Sequence, residues 1–486
     1  MEETPLADRP AQAPAPVDTA SPDAGQKGLW ALVKEALHGT EQDLTRLPLG
    51  RAIFLLAVPM VLEMCMESVF AVVDVAFVGR LGAEAVATVG LTEGILTLIY
   101  AAGMGLSIGA TAMVARRIGE KDAERAGRTA VQAIGLGVII STVLAVAGIV
   151  FARPILAALG GSPWVLEHGV GYTRVMMGGV VSILLLFLIN AIFRGAGDAA
   201  IAMRVLMLAN GLNILLAPCL IFGWGPFPEM GVVGAAWATT LGRSAGVAYQ
   251  LYRLVRSNGR LQVRREHLAL EPATMLAMLR LSGAGMVQAL VSTTSWVVLV
   301  RIVSTFGSTS LAGYTIAIRI VMFALLPAWG LGNAAATLLG QSMGAGDPDR
   351  GAKAVWLAGR YNLMVLGSIG VLFFVFAHPL LRFFTTDPAV VEEGATALRV
   401  FSLSFFSCAY GMVITSAFNG AGDTRTPTLI DLGCLWVLEL PLAWVLAKPL
   451  GLGVVGAYLA VPAAFAAMSV LGIVLFRRGR WKTRVV

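Results

Sequence analysis

The chain contains two copies of one pattern, and this repeat limits its possible folds more than any other feature. The motif FRGAGD at 193–198 recurs as FNGAGD at 418–423, an offset of 225 residues. The same offset relates three further pairs: Gly105 and Gly330, Gly119 and Gly344, Asp122 and Asp347. Landmarks so far apart that share one offset indicate two copies of the same structural unit.

Both copies consist mostly of long apolar runs. The 486 residues are 57% apolar and only 13% charged, with a mean hydropathy of +0.78. Because soluble domains have about 25% charged residues, we expect an integral membrane protein. The first copy has apolar runs near 51–78, 84–112, 127–152, 165–192, 201–223 and 231–256. The second copy has them near 274–303, 309–340, 352–376, 394–419, 427–447 and 453–476.

These runs predict an all-α fold with 12 transmembrane helices, because about 20 apolar residues cross a bilayer. An even number per copy gives two six-helix bundles of the same orientation, related by a pseudo-twofold axis along the membrane normal. The predicted divisions are a disordered or amphipathic N-terminal tail (1–45), an N-lobe (46–260), a C-lobe (261–478) and a basic tail (479–486). Transporters that work by alternating access place a substrate site between such repeats, so we expect transport.

Positive charge follows the even-numbered runs and predicts the topology. The net charge is +7, and arginines and lysines cluster after the second, sixth and last runs. By the positive-inside rule both termini are cytoplasmic. We expect a multi-pass protein of the plasma membrane, which is the inner membrane in a cell that also has an outer one. The clusters adjoin membrane spans and lack interleaved aromatic residues, so nucleic acid is not expected as a partner.

The cysteine and histidine inventory favours neither a metal centre nor an enzyme. The four cysteines lie in apolar runs without CxxC spacing, and the four histidines are scattered outside the runs or at their ends. We therefore expect no cofactor, no resident metal and no enzymatic activity. A membrane-embedded enzyme remains a distant alternative.

Three acidic residues lie within the first apolar run. At about 100° per residue, Glu63, Glu67 and Asp74 share one face of a helix. Charged side chains inside a bilayer are costly and usually face a cavity. Burial and mutual repulsion favour the neutral acid, so the face predicts a site for protons or a cation. Alternatively, one or two of these acids lie near the ends of the span, where water hydrates them and they have no role in transport.

Other residues of the first copy are candidates to complete this site. Amide and hydroxyl groups could ligate sodium or hydrogen-bond an acid; they are Tyr172, Asn190, Asn210, Asn213, Thr239 and Thr240. Methionines could give an adaptable surface for substrate; the candidates are Met60, Met64 and Met177. Pro59 permits a kink just before the acids. The second copy has Gln288, Ser292 and Leu299 opposite the three acids, so we expect the coupling site in the N-lobe.

These patterns resemble the multidrug and toxic compound extrusion (MATE) family. The resemblance runs from about 45 to 478 and rests on VDVAFVGRLG at 73–82, GLSIGATAMVARRIGEKD at 105–122, GLGNAAATLLGQSMGAGD at 330–347 and both GAGD turns. It implies two six-helix lobes arranged as a V. It also implies export of cationic or amphipathic compounds in exchange for protons or sodium ions.

Within that family the chain resembles the DinF-like branch, because Ser292 and Cys408 stand where other branches have acids. The resemblance implies a coupling set of Asp74, Glu67, Tyr172, Asn190, Asn213 and Thr239, with Glu67 also lining the pocket. The residues themselves add Glu63 and the three methionines as candidate substrate contacts. A transient sodium ion would lie at Asp74 and Asn213. Ala217 replaces a carboxylate that the family pattern has nearby, which favours protons over sodium.

The sequence thus predicts a multidrug efflux antiporter that acts as a monomer in the lipid bilayer. A flippase for a lipid-linked or amphipathic substrate is the alternative. A flippase for lipid-linked sugars would need a basic cavity for pyrophosphate, whereas the predicted cavity of the first lobe is acidic.

Overall fold

The computed structural model describes residues 29–39, 42–256, 261 and 263–484. Most of the predicted N-terminal tail, residues 1–28, lies outside this range, as do the last two residues of the basic tail. A ten-residue helix, Leu29–His38, precedes the membrane spans. Arg51 binds the Glu35 carboxylate at 2.8 Å, and Arg204 donates to the carbonyl oxygens of Leu37 and His38. These contacts attach the short helix to the N-lobe.

The described chain is all-helical, with the predicted six long segments per lobe. The N-lobe contains spans 1 to 6: Leu49–Gly79, Ala83–Gly119, Ala123–Val150, Val165–Ala196, Ala199–Phe222 and Val232–Arg256. The C-lobe contains spans 7 to 12: Pro272–Ser304, Ser308–Gly344, Pro348–Val375, Pro388–Gly420, Arg425–Ala447 and Gly453–Arg477. Eleven are long and apolar enough to cross a bilayer. The other, span 6, is a 25-residue helix with several polar side chains.

The two copies of the sequence repeat form two lobes that are related in space by a pseudo-twofold axis. A Cβ on Gly119 would overlap the carbonyl oxygen of Gln341, and one on Gly344 would overlap that of Arg116, the residue that the offset matches to Gln341. Glycine at both positions therefore lets spans 2 and 8 approach closely. The repeated aspartates also act alike, since Asp122 and Asp347 each accept a backbone N–H at the start of the next helix.

The lobes meet mainly at one end of the molecule, here called the terminal face, where Leu44 and Arg484 lie. Arg116 donates to the carbonyl oxygen of Arg484 at 2.8 Å, and Arg350 donates to the carbonyl oxygens of Leu44 and Leu47. Each lobe thus holds a terminal segment of the other.

The close glycine contacts between lobes follow the same distribution. Most of them lie in the halves of spans 1, 2, 7 and 8 nearer the terminal face, as at Gly105 against Ser282 and Gly330 against Met60, and Gly135 of span 3 also approaches Met275 of span 7. None of these glycine contacts lies in residues 62–104 or 290–328 of the described chain. The lobes therefore separate toward the opposite face, as in a V.

Candidate functional site

The first acid of span 1 forms a buried ion pair. Glu63 is 1% exposed, and its Oε1 lies 2.6 Å from Nη1 of Arg194. Asn190 donates to the same oxygen at 3.2 Å, while Gln250 donates to the Asn190 carbonyl oxygen at 2.7 Å. Arg194 thus neutralises Glu63. The sequence had predicted that protons or a bound cation would balance the acids of this face.

The second acid also lies beside an arginine, with a looser geometry. Glu67 Oε1 is 3.7 Å from Nη2 of Arg243, and Asn210 donates to Glu67 Oε2 at 3.3 Å. Arg243 is buried, donates to the Tyr100 hydroxyl at 3.2 Å and lies 5.8 Å from the ring centre of Phe70. Because 27% of the Glu67 side chain remains exposed, it can still meet a solute.

The third acid, Asp74, has a buried Oδ1 that forms no hydrogen bond with any described residue. Its electrostatic neighbours are the Glu93 carboxylate of span 2 and the Arg243 guanidinium. Tyr172 of span 4 interacts electrostatically with Asp74, Glu93 and Arg243, so these four groups lie in the same region of the N-lobe. Arg243 is already engaged by Tyr100 and Glu67, which leaves Asp74 the acid of span 1 most open to a proton or a cation.

Two further candidates pair with each other. Asn213 donates its amide to the Thr239 hydroxyl at 2.9 Å, and both side chains are buried. This bond joins spans 5 and 6. Among the described residues no group of three or more His, Cys, Asp or Glu side chains could hold a metal ion. A sodium ion at Asp74 and Asn213 stays a prediction.

The methionine and proline candidates lie in packed regions. Met60 is 0% exposed and packs with Leu331, Ala334 and other residues of span 8, while Met177 is 1% exposed in the core of the N-lobe. Neither offers a free surface to substrate in this conformation. Met64 is half-buried. Span 1 continues through the buried Pro59 as one helix, and a hinge there stays a prediction.

Sequence reasoning missed the two arginines, Glu93, Tyr100 and Gln250. Arg243 lies near the middle of the predicted sixth run, where a charge is as unusual as in the first run, so its signal was present. Arg194 lies two residues beyond the predicted end of the fourth run at 192, but the helix continues to Ala196. Glu93 is an intramembrane acid of the same kind as Asp74.

Comparison with known proteins agrees with this architecture. The MatE family model matches residues 59–219 and 284–445, one segment in each lobe. A probable multidrug resistance protein NorM of Thermotoga maritima is 29% identical over 435 residues, which cover 89% of this chain and 93% of the relative. The multidrug export protein MepA of Staphylococcus aureus is 23% identical, with 88% and 94% covered. An FAD transporter of Shewanella oneidensis is 26% identical, with 82% and 88% covered.

Solved structures give the same result for the fold. A crystal structure of MATE in complex with MaL6 has a TM-score of 0.85 at 25% identity and covers 90% of this chain and 97% of that one. An outward-facing multidrug resistance MATE transporter of the MOP superfamily has a TM-score of 0.84 with the same identity and coverage. The family match extends over most of the chain. The protein therefore belongs to the MatE family, the multidrug and toxic compound extrusion family that its motifs resemble.

Proposed function

We propose that this protein is a secondary active efflux antiporter that exports cationic, amphipathic compounds in exchange for protons. The observation that carries this proposal is Asp74, an intramembrane carboxyl group with a buried oxygen that no described residue hydrogen-bonds and with an electrostatic repulsion from a second acid, Glu93. Such a group is suited to bind a proton or a cationic solute in turn. The names of the multidrug relatives agree with drug export.

The charge balance of the N-lobe site favours a cationic substrate. Four carboxyl groups (Glu63, Glu67, Asp74 and Glu93) face two guanidinium groups (Arg194 and Arg243). When all are ionised, the site carries an excess of negative charge. A pyrophosphate-linked lipid or FAD is anionic and would need the opposite balance, so the polarity favours drug export over the flippase alternative.

The proposed cycle uses competition for Asp74. With the site open away from the terminal face, a proton from outside neutralises Asp74, the attraction for the cation weakens, and the drug leaves. With the site open to the cytoplasm, Asp74 releases the proton and again attracts a cation. Glu67 takes part through Arg243, because movement of this arginine toward one acid weakens its interaction with the other.

Protons are favoured over sodium by the scarcity of oxygen ligands. Ala217, where the family pattern has a carboxylate, is fully buried in the apolar core with Tyr172. Asn213 turns its amide toward Thr239. Sodium prefers several hard oxygen ligands, whereas a proton needs one carboxylate. We place the terminal face in the cytoplasm and the protein, as a monomer, in the plasma membrane.

The test is efflux of a fluorescent cationic dye from proteoliposomes driven by a pH gradient. Asp74→Asn keeps the size of the side chain and removes the titrating group, so we expect at least about a tenfold loss of gradient-driven transport, which corresponds to about 1.4 kcal/mol. Glu124→Gln is the matched control, because Glu124 is an exposed acid paired with Arg128 on the surface. Undiminished exchange by Asp74→Asn would overturn the proposal.

A further inference from the structure

The C-lobe contains two buried acids that the repeat does not predict. Asp431 is 4% exposed and Glu439 is 5% exposed, and both belong to span 11. The second copy had been expected to lack acids at the positions matched to span 1, and the structure shows that its acids lie on a different helix. The C-lobe therefore has its own intramembrane carboxyl groups.

Asp431 is held by a chain of amides. Gln288 of span 7 donates to Asp431 Oδ2 at 3.0 Å, and Asn419 of span 10 donates to Gln288 Oε1 at 3.3 Å. Ser292, one turn after Gln288, lies near Asp431 and donates its hydroxyl to the Gln288 backbone carbonyl oxygen at 3.1 Å. Two acceptor atoms of this cluster, Asp431 Oδ1 and Asn419 Oδ1, are buried and receive no hydrogen bond from the residues that the structure describes.

This amide cluster occupies the same place in the repeat as the ion pair of the N-lobe. The offset of 225 residues matches Glu63 to Gln288 and Arg194 to Asn419. The N-lobe acid has an arginine at 2.6 Å, whereas in the counterpart cluster Asp431 receives a hydrogen bond from the uncharged amide of Gln288. The C-lobe thus has a buried acid without the cation that neutralises Glu63.

Among the residues that the structure describes, none beside Asp431 carries a positive charge. On spans 7 and 10 its neighbours are the uncharged Gln288, Ser292 and Asn419, and on its own helix the titratable neighbour is the Cys434 thiol. In the described part of the chain Asp431 takes part in no ion pair. An ionised carboxylate buried without a counter-charge is strongly unfavourable. A bound proton would remove that charge and supply a donor to a cluster with unfilled acceptors.

The backbone at this site is also unusual. A π-helical segment, Leu432–Glu439, begins directly after Asp431. Pro441 follows it and has no N–H for the carbonyl group four residues earlier, and a widened turn accommodates that loss. Segments of π-helix often occur at functional sites; this one starts directly after Asp431 and ends at Glu439, the second acid.

We propose that Asp431, with Gln288 and Asn419, forms a second proton-binding site in the C-lobe. The role of this site in transport rests on the proton exchange proposed above. The claim that Asp431 binds a proton is independent of that proposal. In this scheme the site of the N-lobe exchanges protons directly against substrate. The C-lobe site binds a further proton during the same cycle.

The proton itself can be observed by infrared spectroscopy of the purified full-length protein in lipid nanodiscs. A protonated carboxyl group has a carbonyl-stretch band that a carboxylate lacks. We expect Asp431→Asn to remove one component of this band near neutral pH, and Asp74→Asn to leave that component in place. Identical acid bands in wild type and Asp431→Asn would overturn the proposal.

A second variant protects the test against misfolding. Asp431→Glu keeps a carboxyl group on a longer side chain, so the band component should persist at a shifted frequency. An unchanged spectrum in this variant would assign the band to another acid and overturn the proposal even if Asp431→Asn does not fold.

The role in transport is measured separately, as the number of protons exchanged per dye molecule in proteoliposomes. We expect Asp431→Asn to transport dye with a lower ratio than wild type. An unchanged ratio would overturn the role in exchange. If wild type exchanges no protons, the proposed function fails, while the infrared result still decides whether Asp431 binds a proton.

Discussion

At one position of the repeat the N-lobe has an ion pair and the C-lobe has a pair of amides. Glu63 and Arg194 lie 2.6 Å apart, and their counterparts Gln288 and Asn419 are joined by a hydrogen bond of 3.3 Å. Both pairs connect the first helix of a lobe to the end of its fourth. The fold therefore accepts either chemistry at this joint, and the charges of the N-lobe are not a requirement of the architecture.

The comparison extends to the rest of the polar network. The offset matches Tyr100 to Leu325 and Thr239 to Ala464, and it matches Arg243 to Met468. Three polar side chains of the N-lobe network are thus replaced by apolar ones in the C-lobe. The buried acids Asp431 and Glu439 of the C-lobe lie on span 11, away from these positions. Two similar bundles can therefore perform different parts of one transport cycle.

The largest expected effect comes from breaking the ion pair on one side. Arg194→Asn leaves Glu63 buried beside amides alone, and loss of one partner of a buried pair costs about 3–5 kcal/mol. The double variant Glu63→Gln with Arg194→Asn installs the amide pair of the C-lobe and should recover most of that stability. Thermal unfolding in detergent measures both. If Arg194→Asn is as stable as the double variant, Glu63 does not depend on the arginine, and the two lobes do not differ at this joint.

The reciprocal change in the C-lobe should have a smaller effect. Gln288→Glu places a second acid beside Asp431 without an arginine, which we expect to destabilise the fold by about 1–3 kcal/mol. The cost is limited because the new carboxyl group can take up a proton. Adding Asn419→Arg should restore stability in the same thermal unfolding experiment. If the added arginine lowers stability further, the two joints are not equivalent.

The smallest expected effect concerns substrate binding at the looser pair. Arg243→Gln removes the guanidinium that lies 3.7 Å from Glu67, so a cationic dye meets less competition for the carboxyl groups. We expect its Kd to fall about fivefold, roughly 1 kcal/mol. Fluorescence titration of the purified protein measures this change. Weaker dye binding would mean that Arg243 supports the site and does not compete for it.

Much of the fold was predictable from the sequence because its signals are local or periodic. The offset that relates Gly119 to Gly344 predicted the pseudo-twofold relation between the lobes, and hydropathy predicted the six spans in each lobe. The three acids of span 1 were also found from sequence, since any charge inside an apolar run is unusual. Asp431 and Glu439 lay within the predicted run 427–447 and carried the same signal.

The pairing of each buried acid with an arginine was not predictable from the sequence, because it depends on which helices pack together. Arg194 reaches Glu63 from 131 residues away, and Arg243 reaches Glu67 from span 6. Whether an acid is neutralised or left open to a proton follows from these contacts. Helical phase placed the acids on one face and could not distinguish the paired Glu63 from the open Asp74.

The most direct test of proton exchange is the internal pH of acid-loaded proteoliposomes when a cationic drug is added outside, with and without sodium. We predict that the drug alkalinises the interior to the same extent in both conditions, and that Asp74→Asn abolishes the response. Alkalinisation that persists in Asp74→Asn, or drug transport that occurs only with sodium, would contradict the account.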